Sequence, residues 1–305
     1  MSVDRGDPLS QPSFGVGQVE AGPVPGRDSD FGSVRPSSRL LQRVKGALKP
    51  WFLSPHVPLF WSKTANWGDA LSPWLAERIS GRPARFESTP FVRKFLAIGS
   101  ILHHADEWST IWGSGLISPD HLPQSRPSRI LAVRGPLTRA RLMKSGLECP
   151  AVYGDPALLL PRYLPVPRTA ELPVGIVPHH TDKDHPWVEK CRRDGHFVID
   201  VESGIEEFVR QVCSCEAILS SSLHGLICAD AYGIPSRRIL LGEELIGGDF
   251  KFDDYAAAMG RSAPEPLRPR REDHAKSLAD QCLLFPVECD LDQLLRVCPF
   301  GRKSV

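Results

Sequence analysis

The 305-residue chain has 37 lysines and arginines against 36 acidic residues, a formal net charge of +1. Hydrophobic residues make up 41% of it and charged residues 24%, the balance of a globular protein long enough for two domains. The near-zero charge argues against a nucleic-acid partner, and no stretch reaches the roughly 18 apolar residues that a membrane span needs.

The N-terminal segment, residues 1–36, is rich in Gly, Pro, Ser and Asp and shows no periodicity, so we predict a disordered tail. It has no apolar core of a secretory signal, which favours a cytoplasmic protein. Residues 37–51 place apolar residues at helical spacing with basic residues between them. This pattern fits a basic helix that touches the inner face of the membrane, or a short helix that docks on the adjacent domain. Gly46 and Pro50 weaken any helix here and favour docking.

From residue 58 onward, short apolar runs alternate with helical patterns, which is typical of a parallel sheet with βαβ connections. The strands predicted in the first half are 59–63, 84–86, 95–102, 110–117 and 129–135. Helices are predicted over 71–81 and 136–146, each ending at a glycine, and Pro136 suits the first turn of the second helix. Residues 151–160 are the last segment of this first half.

The Pro-rich segment 161–173 is the best domain boundary, because the same rhythm restarts after it. The strands predicted in the second half are 174–180, 196–201, 217–222 and 237–241, and the helices are 205–212, 223–233, 277–285 and 291–297. We therefore predict an α/β fold of two Rossmann-like domains that face a cleft. They are residues 37–165, with the leading basic helix, and 166–305, with the C-terminal helices. Ligands in such sheets bind beyond the carboxyl ends of the strands.

Three serines end a predicted strand, and a helix follows directly with Leu223, His224 and Gly225. Free N–H groups at a helix start favour an anion such as phosphate or carboxylate. Ser221 or Ser222 can cap this helix and also donate to the anion, and His224 can pair with phosphate or act as a general acid. The alternative is that the serines only cap the helix and His224 packs against a neighbour.

Arg134 ends another predicted strand, just before the helix that starts at Pro136. A guanidinium there can hold a carboxylate or phosphate in a two-pronged grip, which a lysine cannot. The alternative is a surface arginine that pairs with a nearby acid.

Two further polar loops follow predicted strands. Asp69 can cap the helix after the Asn66–Asp69 loop, or Asp69 and Asn66 can face the cleft and bind a sugar or assist proton transfer. His179, His180 and Asp182 imitate a metal site but lack a further ligand at a recognisable spacing. The eight cysteines form no Cys-x-x-Cys pair, and no nucleotide-binding fingerprint is present. We therefore predict neither a metal nor a cofactor.

Taken together and in this order, these segments resemble the polysaccharide pyruvyl transferase family. The matching segments are NWGDALSPWLAERISG, LAIGSIL, IWGSGLI, AVRGPLTRARLMKSG, YGDPALLLP, VGIVPHHTD and ILSSSLHGLICADAYGIPS. They cover about residues 58–240.

The resemblance implies a GT-B-like fold, phosphoenolpyruvate as the donor, and a sugar or lipid-linked oligosaccharide of a surface glycan as the acceptor, usually giving a cyclic pyruvate ketal. The family's characteristic arginine and histidine then fall on Arg134 and His224, and its early aspartate motif falls on Asp69; we expect these three residues to be catalytic. We expect substrate contacts from Asn66, Gly68, Ser221, Ser222, Leu223 and His179, of which His179 falls in the family's strand-end histidine loop. Two alternatives stay open, a nucleotide-sugar glycosyltransferase and a non-catalytic binding protein of the same fold.

Overall fold

The computed structural model describes residues 54–63, 67–242 and 247–301. The predicted N-terminal tail, the predicted basic helix and Asn66 lie outside the described residues. Within them, no helix combines the length and apolarity needed to cross a bilayer.

The first sheet is built from the strands of the N-terminal half. Its strands are β1 (Val57–Phe60), β2 (Ala84–Phe86), β3 (Lys94–Leu96), β4 (Ser109–Trp112) and β5 (Arg129–Ala132). They lie in the order β2-β1-β3-β4-β5, and every neighbouring pair is parallel.

The second sheet is also parallel throughout and follows in the sequence. Its strands are β6 (Gly175–Val177), β7 (Phe197–Val198), β8 (Ile218–Ser220) and β9 (Ser236–Arg238). They lie in the order β7-β6-β8-β9. The predicted α/β class with parallel sheets is therefore confirmed.

The helices mostly connect successive strands. They are α1 (Trp67–Ser80), α2 (Pro136–Lys144), α3 (Leu160–Tyr163), α4 (Pro186–Arg193), α5 (Ile205–Cys213), α6 (Leu223–Ala231), α7 (Phe250–Ala258), α8 (Ala275–Ala279) and α9 (Leu291–Arg296). Short 3-10 helices occupy Leu102–His104 and Pro156–Leu159.

The main differences from the sequence prediction concern lengths. The strands of the structure are two to four residues long and therefore shorter than most of the predicted ones. Most of the remaining residues of each predicted strand form the loop that follows it. The helix predicted over 277–285 is wrong beyond Ala279, where the chain instead pairs Leu283 with Ser236 in an isolated bridge. Pro136 does start α2, as predicted, because its fixed φ suits a first helical turn.

Contacts between the two halves of the chain are extensive. The Trp67 ring stacks on Phe208 with ring centroids 4.5 Å apart, and its backbone N–H donates to the Val201 carbonyl at 2.5 Å. The largest buried hydrophobic cluster includes Leu59 of the first sheet and Ile218 of the second. The division of the chain near residue 165 stays a prediction.

The C-terminal segment returns to the first sheet. Phe300 packs against Phe95 and Trp112, and the Trp112 indole N–H donates to the Leu294 carbonyl at 2.8 Å. These contacts hold α9 beside the first half of the chain, although it follows the second half in sequence.

Candidate active site

A cleft of about 260 Å³ lies beyond the carboxyl ends of strands from both sheets. This is where parallel α/β sheets place their ligands. The lining residues are Ser62, Asp69, Gly99, Ser100, Ile101, His103, His104, Ile117, His179, His180, Val201, Ser222, Leu223, His224 and Lys251. Five of the predicted site residues therefore share one cleft: Asp69, His179, Ser222, Leu223 and His224.

The three serines before α6, Ser220, Ser221 and Ser222, differ in their hydrogen bonds and positions. Ser220 Oγ accepts from the Ser222 backbone N–H at 3.0 Å, which shapes the turn. Ser221 Oγ accepts from the His179 backbone N–H at 2.8 Å and donates to Asp182 Oδ2 at 2.6 Å, so Ser221 joins two strand-end loops. Ser222 occupies the N-cap position, but its side chain makes no capping bond. The capping bond expected from the sequence is absent, and Ser222 instead lines the cleft.

The His224 ring lies against the backbone of Gly68. A Cβ added to Gly68 would sit 2.0 Å from His224 Nδ1, so only glycine fits beside this imidazole. His224 Nε2 is buried and has no hydrogen-bond partner among the described residues. A buried, unsatisfied ring nitrogen is costly and needs an explanation, and a ligand in the cleft would supply its partner.

The pKa of His224 is lowered to about 3, first by burial and then by the positive charges of Lys251 and Arg134. The imidazole is therefore neutral at pH 7. A bound anion would counter those charges and shift the histidine toward its protonated form.

Arg134 is fully buried behind the cleft and does not line it. Its guanidinium donates to Asp254 Oδ2 at 2.9 Å, to Ser100 Oγ at 2.6 Å and to the Leu116 carbonyl at 2.7 Å. Gly115 makes room for it, since a Cβ there would lie 2.3 Å from Arg134 Cζ. Direct contact between Arg134 and a donor stays a prediction. In the structure, Arg134 reaches the cleft only indirectly, through its hydrogen bond to Ser100, which lines the cleft.

Asp254 connects α7 to α2 across more than 100 residues. Besides Arg134, it accepts from the Thr138 backbone N–H at 2.8 Å and from Thr138 Oγ1 at 2.7 Å. Asp254 lies three residues after Lys251, so the two share a face of α7. The buried network around Asp254 thereby fixes the helix that brings Lys251 to the cleft.

Three titratable residues of the cleft do not follow from the sequence: Lys251, His103 and His104. The α7 helix was not predicted, although Phe252, Tyr255, Ala256 and Met259 follow helical spacing and are buried. His103 and His104 lie in a 3-10 turn with ring centroids 4.0 Å apart. No local pattern marks them, because only the fold brings this turn to the cleft.

Burial lowers the pKa values of two further histidines that line the cleft. The pKa values of His103 and His179 are both lowered to about 4, with burial as the largest cause and neighbouring histidines next. His179 Nδ1 lies 2.7 Å from Thr181 Oγ1. Within 54–63, 67–242 and 247–301, no group of three or more His, Cys, Asp or Glu side chains is placed to hold a metal ion.

Acidification should destabilise the protein partly through His224. An unfolded histidine titrates near 6.5, so between that pH and about 3 the unfolded chain binds more protons than the folded chain. Stability from the neutral imidazole is thus present above pH 6.5 and lost as the pH falls. Buried Asp155 opposes this trend because its pKa is raised to about 6 by burial.

Comparison of wild type with His224→Gln isolates the histidine from Asp155. We expect the unfolding free energy of wild type to fall more steeply from pH 6.5 to 4.5 than that of the variant, measured by urea denaturation. Parallel curves for the two proteins would contradict a neutral, buried His224.

Comparison with known proteins agrees with the geometry. The family model for polysaccharide pyruvyl transferase matches residues 125–240, the range that contains Arg134, His179, Ser222 and His224. A protein of Acanthamoeba polyphaga mimivirus, described as uncharacterized, is 28% identical over 221 residues, or 66% of this chain and 73% of that protein. The succinoglycan biosynthesis protein ExoV of Rhizobium meliloti (strain 1021) is 27% identical over 226 residues, or 70% of this chain and 67% of ExoV. Residues 125–240 of the chain are therefore similar to the polysaccharide pyruvyl transferase family.

Proposed function

We propose that this protein transfers the pyruvyl group of phosphoenolpyruvate to hydroxyls of a sugar in a surface glycan or its lipid-linked precursor. The observation that carries the proposal is the unpartnered, buried His224 Nε2 in a cleft that also contains Lys251 and a helix start. Such a site suits a small molecule with a phosphate and a carboxylate. The family match and the similarity to ExoV, a succinoglycan biosynthesis protein, support the same chemistry.

The proposed reaction has two bond-forming steps. One sugar hydroxyl attacks C2 of the donor and gives its proton to a base, while an acid delivers a proton to the methylene carbon, which becomes a methyl group. A second hydroxyl then displaces phosphate from C2, loses its proton to the base or to the leaving phosphate, and closes the ketal. Loss of phosphate and a methyl proton after the first step would instead give the open enolpyruvyl ether.

The cleft residues divide between these steps. We assign Asp69 as the candidate base for the acceptor hydroxyl, because it is the carboxylate among the described lining residues. His224 either supplies the proton or binds the leaving phosphate. Arg134 supports the site through Ser100, or contacts the donor directly as the resemblance implies. Ser221 supports it through His179 and Asp182, and Gly68 supports it by admitting the imidazole.

The proposal includes the arrangement of the chain. We assign residues 37–165 and 166–305 to two Rossmann-like domains of the GT-B type with the cleft between them, and we place the protein in the cytoplasm. Support comes from the two parallel sheets and from a cleft lined by residues of both halves. Contact of residues 37–51 with the inner face of the membrane belongs to the same proposal.

Donor binding provides the test, because a ligand that binds only the native state stabilises it. At about 100 times its dissociation constant, phosphoenolpyruvate should raise the thermal midpoint by about 5–10 °C. UDP- and GDP-sugars at the same concentration should leave it unchanged. A shift with a nucleotide sugar and none with phosphoenolpyruvate would replace this proposal with the glycosyltransferase alternative.

A further inference from the structure

Lys251 occupies a distinctive position in the cleft. Of the described residues that line it, Lys251 alone carries an ammonium or guanidinium group. It lies in the first turn of α7, and no hydrogen bond or ion pair to its Nζ occurs within the described ranges. The Nζ lies 5.4 Å from the Phe252 ring centroid. A half-buried ammonium without an anionic partner is unusual, since buried charges are normally paired.

The surroundings of Lys251 are mainly cationic. Arg134 and Arg238 both act on it with like charge, and Asp182 is the opposing acid. Each arginine has its own carboxylate, Arg134 at Asp254 and Arg238 at Asp249, where the Nη2–Oδ1 distance is 2.5 Å. Asp182 already accepts from Ser221. The structure therefore pairs each arginine with a carboxylate and leaves the lysine charge unpaired.

The burial of this lysine also lowers its affinity for a proton. Burial, followed by Arg134 and Arg238, lowers the pKa of Lys251 to about 8. The side chain is thus still largely protonated at neutral pH and carries a charge that is poorly solvated. An anion that enters the cleft would relieve both conditions.

We infer that Lys251 is the cationic anchor for the phosphate or carboxylate of the donor, held beside His224 by the Asp254 network. The identity of the donor in this assignment rests on the proposed function. The presence of an anion site does not, because it rests on the surroundings of Lys251. Lysine suits this task as a compact point charge on a flexible stem. Its nearness to His224 also means that a bound anion acts on both residues together.

The test replaces Lys251 with Met, which keeps the length and helix propensity of the side chain and removes its charge. Lys144→Met is the matched control, because Lys144 is an exposed lysine at the end of α2, outside the cleft. Binding of phosphoenolpyruvate, inorganic phosphate and pyruvate is measured by calorimetry for each protein.

We expect Lys251→Met to weaken phosphoenolpyruvate binding by about 10- to 100-fold, with Lys144→Met unchanged. If Lys251→Met also weakens the binding of inorganic phosphate, Lys251 contacts the phosphate of the donor. If it also weakens the binding of pyruvate, Lys251 contacts the carboxylate. The thermal midpoint of the ligand-free variant should stay equal to wild type or rise, because an unpaired charge beside two arginines is lost. A variant that melts lower than wild type would show that Lys251 is structural and would overturn the inference.

The remaining outcomes separate the two proposals. Wild-type affinity for all three probes in Lys251→Met would overturn the inference and leave the proposed function standing. Lys251-dependent binding of phosphate without binding of phosphoenolpyruvate would overturn the proposed function and support the anion site. A wild-type protein that binds none of the probes would contradict both.

Discussion

Replacement of His224 by Gln should lower turnover by roughly 10²–10⁴-fold, the usual contribution of a positioned general acid or base. The variant should fold normally, because His224 Nε2 makes no hydrogen bond that its loss would break. Steady-state kinetics with phosphoenolpyruvate as the varied substrate would measure the effect. His274→Gln is the control, since His274 is exposed and lies outside the cleft.

The kinetic pattern separates the two roles assigned to His224. A fall in kcat with little change in KM indicates a group that acts in the transition state. A rise in KM at unchanged kcat would restrict His224 to binding the donor phosphate. Unchanged values of both would contradict its place in the active site.

Arg134→Ala should lower the free energy of unfolding by about 3–5 kcal/mol, because it leaves Asp254 as an uncompensated buried charge. Arg134→Lys should be nearly as damaging, since one ammonium cannot reproduce the planar contacts to Asp254, Ser100 and Leu116. Urea denaturation measures both variants. Arg78→Ala is the matched control and should cost at most about 1 kcal/mol, because its pair with Glu206 is half exposed.

A second substitution distinguishes support from direct donor contact. Asp254→Asn combined with Arg134→Ala should be less destabilising than the sum of the single changes, because the two side chains form one buried pair. Additive losses would contradict this pairing. Stability like that of wild type in Arg134→Ala, together with lost donor affinity, would show that the guanidinium contacts the donor instead.

Much of the fold follows from local signals in the sequence. Each predicted strand encloses or overlaps a strand of the structure, because apolar runs with flanking turn residues are needed to build a buried parallel sheet. Helix boundaries at Pro136 and Gly81 follow from backbone preference, and Gly81 has the positive φ of 69° that glycine tolerates. Strand-end loops identified Asp69, His179 and His224 because ligands in such sheets bind there.

The missed features depend on contacts between distant parts of the chain. The burial of Arg134 and its pair with Asp254 do not follow from the sequence, because Asp254 lies 120 residues away. Lys251 lies on a helix that follows no strand-end motif, and only the packing of α7 on α2 brings it to the cleft. The fit of His224 against Gly68 likewise requires the two halves of the chain to meet.

Incubation of the protein with phosphoenolpyruvate and a panel of sugar acceptors, with phosphate release and acceptor mass followed together, tests the proposed chemistry most directly. We expect phosphate to appear only when a suitable acceptor is present, one phosphate for each pyruvyl group gained, and both signals to be lost in His224→Gln. Transfer of a sugar from a nucleotide donor, with phosphoenolpyruvate left intact, would contradict the proposed function.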